Sequence, residues 1–88
     1  MRIRELAVPG AWEFTPTPHG DDRGIFTETF KQSEFEKATG RKFELLQVNT
    51  SSSAAGVMRG IHYTVNPPGQ AKYVTCVHGA FLDVVVDL

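Results

Sequence analysis

The 88-residue chain has a single cysteine, Cys76, so no intrachain disulfide can form. That fits a reducing cytoplasm, where packing rather than covalent cross-links must hold a fold together. No apolar run approaches the ~18 residues a membrane-spanning helix requires. The opening residues Met1-Arg2-Ile3-Arg4-Glu5-Leu6 lack the apolar core of a signal peptide. An excess of charge is missing too: nine basic and ten acidic residues give a net charge of −1. No basic run exceeds two residues. Nucleic acid and an anionic membrane are therefore not expected as partners, although single basic residues can still grip a small anion. Repeats, linkers and low-complexity tracts are absent.

What remains is the composition of an ordinary globular protein, with 41% apolar and 22% charged residues. The length allows one domain, residues 1–88. A chain this short buries only about 60–65% of its unfolded surface, so its core is thin. Short apolar stretches alternate with turn residues. Strands are expected over 10–14, 25–30, 43–49, 57–65, 72–78 and 81–88. The segment His19-Gly20-Asp21-Asp22-Arg23-Gly24 is a turn signal. A lone helix is expected over 32–39, with Phe35 and Ala38 on one face, Ser33 as a candidate cap and Gly40 as the stop. Loops fall at 50–56, 66–70 and Gly79. This pattern predicts an all-β fold, a sandwich or barrel. The Val84-Val85-Val86 run suggests a strand buried on both faces, yet nothing follows it to pair with. The chain is accordingly expected to be the amino-terminal portion of a larger, truncated domain.

The residues with chemical potential lie in these strands and loops. His62 sits in Arg59-Gly60-Ile61-His62-Tyr63, where strand alternation gives it the face shared with Gly60. An inward histidine beside a glycine suits a pocket, although residue type alone favours a core histidine bonded to a carbonyl. Lys72 opens the next strand, and the loop 66–70 can fold it back beside His62. It could be a solvated edge lysine, but its neighbours are mostly apolar, and a partly buried lysine needs an anionic or oxyanionic partner. Such a pair can remove a proton beside a ketone and stabilise the resulting oxyanion. Arg23 and Arg59 are anion candidates, because a guanidinium matches phosphate oxygens bidentately. Glu28, Gln47 and Asn49 could read a sugar or base, or serve only local turn chemistry. No metal or other cofactor is expected, since the His-x-His spacing of a metal site is missing after His62. A mid-strand thiol among apolar neighbours is expected to be buried and structural.

Along its length the chain resembles the dTDP-4-dehydrorhamnose 3,5-epimerase family of sugar-nucleotide enzymes. The likeness runs through His19-Gly20-Asp21-Asp22-Arg23-Gly24-Ile25-Phe26-Thr27-Glu28 and Gln47-Val48-Asn49-Thr50-Ser51. It continues through Gly56-Val57-Met58-Arg59-Gly60-Ile61-His62-Tyr63 and Pro68-Gly69-Gln70-Ala71-Lys72-Tyr73-Val74. It ends with Gly79 and Asp83-Val84-Val85-Val86-Asp87. The resemblance implies a cupin-type jelly roll without a metal and a homodimer. It implies a dTDP-4-keto-6-deoxyhexose substrate in deoxysugar biosynthesis. His62 would be the general base and Lys72 the group at the keto oxygen. Arg23 and Arg59 would bind the nucleotide sugar, and Glu28, Gln47 and Asn49 would make further contacts. The family's tyrosine acid and base-orienting aspartate would fall beyond position 88.

Strict alternation puts Arg59 and His62 on opposite faces, so a shared site predicts a bulge or strong twist near Gly60. Two other readings compete with a full epimerase. One is an enzyme of an antibiotic sugar pathway that inverts a single centre. The other is a nucleotide-sugar-binding fragment without full activity.

Overall fold

The computed structural model describes residues 1–65 and 67–88. Asn66, the first residue of the expected loop 66–70, lies outside them. Four short strands and one helix follow in order: β1 (Arg2–Glu5), β2 (Trp12–Thr15), β3 (His19–Asp21), β4 (Gly24–Phe26) and α1 (Gln32–Thr39). The regular structure is thus mostly strand. It forms two separate antiparallel hairpins, β1–β2 and β3–β4.

In the first hairpin Ile3 pairs with Phe14 and Arg4 with Glu13. Alternation along β2 half-buries Trp12 and Phe14 and exposes Glu13 and Thr15. The outer face carries an ion pair between Arg4 Nη2 and Glu13 Oε2 at 3.1 Å. The connection closes at Gly10, whose φ of 84° suits a residue without a Cβ. There the Leu6 N–H donates to the Ala11 carbonyl at 2.8 Å. β1 was not expected, and β2 begins two residues later than the expected strand at 10–14.

The second hairpin arises inside the expected turn. His19 pairs with Phe26 and Asp21 with Gly24, leaving Asp22 and Arg23 as a two-residue loop. The strand expected over 25–30 ends at Phe26. From Thr27 the chain leaves the ladder and runs to α1.

α1 has the expected bounds. Gly40 ends it in the left-handed region at φ 72°, its N–H donating to the Glu36 carbonyl at 2.8 Å. Ser33 does not cap the start. Lys31 occupies that position in an extended conformation with no side-chain hydrogen bond. Glu34 in the first turn and Lys37 in the last complement the helix dipole.

The centre of packing is aromatic. Phe14 of β2 stacks on Phe35 of α1 with centroids 5.6 Å apart. Phe35 meets Phe43 edge-on at 5.4 Å, and Phe30 meets Tyr73 edge-on at 4.9 Å. Such geometries place a positive ring edge against a negative face. Among the described residues no side chain is fully buried, so this cluster is a half-wet core.

Strands expected at 43–49, 57–65, 72–78 and 81–88 are not formed among the described residues. Their composition favours extended backbone, but a strand also needs a neighbour to take its N–H and C=O groups. Large apolar side chains there stay in water, including Met58 at 95% exposure and Leu82 at 89%. Among the described residues the regular structure is two hairpins and a helix.

Candidate functional site

Arg23 is built into the β3–β4 loop. Its backbone N–H donates to Asp21 Oδ1 at 2.8 Å, the side-chain-to-backbone closure of an Asx turn. The guanidinium then folds over the same carboxylate: Nη2 reaches Oδ2 at 2.6 Å and Nε reaches it at 3.2 Å. The Arg23 side chain holds the Asp21 carboxyl below its ordinary value of 3.8, and the Arg23 backbone N–H adds to that. The Asp21 carboxylate in turn raises the pKa of Arg23. Asp21 was not among the expected site residues, although a carboxylate two positions before an arginine in a turn is a readable signal.

Glu28 follows β4. It lines a shallow cleft with Met1, Thr17, His19 and Phe26. A second cleft, on residues 21 and 23–26, includes Arg23. Phe26 is common to both, so Arg23 and Glu28 open onto adjoining depressions of one hairpin.

Tyr73 ties the later segment to this region. Its hydroxyl donates to the Thr29 carbonyl, across 44 residues of chain. Thr29 follows Glu28, and Tyr73 follows Lys72. The bond therefore brings the chain segments of these two candidates together. Burial in the aromatic cluster pushes the Tyr73 phenol pKa up. In the sequence Tyr73 is only an apolar neighbour of Lys72, because its partner is so distant along the chain.

Gln47 and Asn49 meet directly, with Gln47 Nε2 donating to Asn49 Oδ1 at 3.1 Å. The amides sit side by side, as alternate residues of an extended segment must. Arg59 lies beyond the next loop. Its Nε donates to Ser53 Oγ at 2.8 Å and its Nη2 to the Ser52 carbonyl at 3.2 Å.

His62 and Lys72 are both exposed. No hydrogen bond joins them among the described residues. The backbone at Gly60 is irregular, with φ 134°. With no paired strand around it, this is a local break rather than a bulge. Cys76 is exposed and donates to the His78 carbonyl at 3.4 Å, which corrects the expectation of a buried thiol. No helix among the described residues is long and apolar enough to cross a membrane.

The fold has a counterpart among known structures. It superposes on the rmlC epimerase of Mycobacterium tuberculosis with a TM-score of 0.73 and 50% identity, over 77% of this chain and 34% of that one. The sequence profile of dTDP-4-dehydrorhamnose 3,5-epimerase matches residues 5–88. The chain belongs to the dTDP-4-dehydrorhamnose 3,5-epimerase family. A curated dTDP-4-dehydrorhamnose 3,5-epimerase of Mycobacterium tuberculosis (strain CDC 1551 / Oshkosh) is 54% identical over all 88 residues, which span 44% of its length. A dTDP-4-dehydrorhamnose 3-epimerase of Streptomyces niveus is 53% identical over the same residues, 42% of its length. The chain thus spans less than half the length of these relatives.

Proposed function

We propose that this chain supplies the base-bearing part of a cytoplasmic, homodimeric epimerase with a single cupin-type jelly-roll domain, acting on a dTDP-4-keto-6-deoxyhexose. The observation that carries this reading is the 54% identity to a named 3,5-epimerase over all 88 residues. The chemistry of the residues supports it. His62 removes the proton from a carbon beside the keto group. The C–H electron pair moves into the new enolate, and its negative charge settles on the keto oxygen. Lys72 donates to that oxygen. A fixed cation there can be worth several kcal/mol in a dry site. Histidine titrates near neutral pH and so is available as a base.

Arg23 and Arg59 take the diphosphate, and Glu28, Gln47 and Asn49 make polar contacts to the nucleotide sugar. The proton returns from the opposite face of the ring, from a group that none of these seven residues provides. Inversion at one centre is the second reading, favoured by the Streptomyces niveus relative, which is named a 3-epimerase.

Deuterium uptake separates these outcomes. In heavy water, the product of the native reading frame should exchange the protons at carbons 3 and 5 of dTDP-4-keto-6-deoxyglucose. Exchange at carbon 3 alone would select the single-centre reading. His62→Ala should abolish exchange at both. Epimerisation at the wild-type rate by that variant would overturn the assignment of the base.

A further inference from the structure

The Arg59 guanidinium is held along one edge. Nε and Nη2 both donate to the loop, to Ser53 Oγ at 2.8 Å and the Ser52 carbonyl at 3.2 Å. A guanidinium is planar and rigid, so two bonds along one edge fix its plane and its direction. The opposite end, Nη1 with the second N–H of Nη2, makes no hydrogen bond among the described residues.

The local backbone creates this arrangement. The Val57 N–H donates to the Ala54 carbonyl at 3.3 Å, and Gly56 has φ 82°. This turn folds the chain back, so that the Arg59 side chain lies against the loop it has just left. Arg23 offers an internal contrast. It is held by the same two nitrogens, but by the Asp21 carboxylate, which offsets its charge. Ser53 and the Ser52 carbonyl are neutral. Arg59 is oriented and still carries its whole positive charge, the combination that suits an anion receptor.

We propose that Ser53 is a positioning residue that holds Arg59 by its Nε edge and presents the Nη1 end to the anionic oxygens of a nucleoside diphosphate. The ligand class rests on the function proposed above; the tether between Ser53 and Arg59 does not.

The test uses the product of the native reading frame, with dTDP as the probe. Ser53→Ala removes the acceptor, and Ser53→Thr restores a hydroxyl at the same place. Both changes fall in an exposed loop. Loss of one such bond should weaken dTDP binding roughly three- to tenfold, the range set by a single exposed hydrogen bond. KM for the dTDP-keto sugar should rise in step while kcat and its pH profile stay unchanged. The threonine variant should recover the affinity. In the unliganded protein, the Arg59 15Nε resonance should shift and broaden in Ser53→Ala and return in Ser53→Thr. Unchanged affinity in Ser53→Ala, or an unchanged Nε resonance, overturns the positioning role. A threonine variant as weak as alanine also overturns it. If the wild-type protein binds no dTDP, the ligand class falls together with the functional reading. The Nε resonance then still decides whether Ser53 holds Arg59.

Discussion

At the scale of residues, the two arginines show how much depends on what holds a charge. Arg23 shares its guanidinium with Asp21 in an exposed turn. The carboxyl is held below 3.8 chiefly by the Arg23 side chain. A depressed carboxylate contributes stability above its unfolded pKa and loses that contribution as pH falls through its folded pKa. The β3–β4 turn should therefore loosen only in acid, below 3.8. An NMR titration of the Asp21 carboxyl carbon should give a midpoint under that value, and Arg23→Ala should move it upward. An unchanged midpoint in the variant would mean that the pair is not formed in solution. Salt should weaken the pair as well, since both partners face solvent. The identity of Arg23 and Arg59 as anion candidates was legible from their type alone. The holder of Arg23 is readable from the turn, but that of Arg59 is not, because a serine six residues away is an ordinary polar residue until the backbone brings it alongside.

Among the elements, α1 is the one whose bounds the sequence foretold. Gly40 made the end readable, because few residues other than glycine enter the left-handed region without strain. Gly40→Ala should cost about 1 kcal/mol of helix stability, from forcing a Cβ into that conformation. Urea unfolding followed by circular dichroism at 222 nm measures this. A neutral substitution would show that the helix end relaxes to another closure. The beginning was less legible: Ser33 has the right chemistry, yet the helix starts one residue ahead of it and leaves it within the first turn. The hairpins show the same limit from the other side. The segment 19–24 announces a reversal of chain, but not that its outer residues pair. β1 went unread because its alternation of Arg2, Ile3, Arg4 and Glu5 offers a single half-buried side chain. Its strand character comes from the partner β2.

Over the whole molecule, the radius of gyration of 14.9 Å exceeds the roughly 12 Å typical of a compact domain of this length. Segments after α1 hold many exposed apolar residues and form no ladder among the described residues. In hydrogen exchange on the 88-residue polypeptide, amides of β1, β2 and α1 should be protected, and those of 81–88 should exchange at nearly the rate of free peptide. Protection of 81–88 equal to that of the hairpins would mean that these strands find partners by association between chains. Strand composition is written locally, and it points to strands after α1 that are not formed among the described residues. Strand formation is a pairwise property, and the pairing partner of Val84-Val85-Val86 cannot be deduced from those residues. Family membership was legible for a different reason: glycines, arginines and the histidine recur in one order over nearly the entire chain.

The hydrogen bond from Tyr73 to Thr29 has a kinetic consequence. It closes a loop of 44 residues. Closing a flexible loop of that length costs about 3 kcal/mol in chain entropy, whereas a single hydrogen bond returns only about 1 kcal/mol. The bond cannot lead folding. The rings of Phe14, Phe30, Phe35 and Phe43 must gather first, with Tyr73 captured as the last face of the cluster. The segment carrying Lys72 is therefore expected to dock after these rings have gathered.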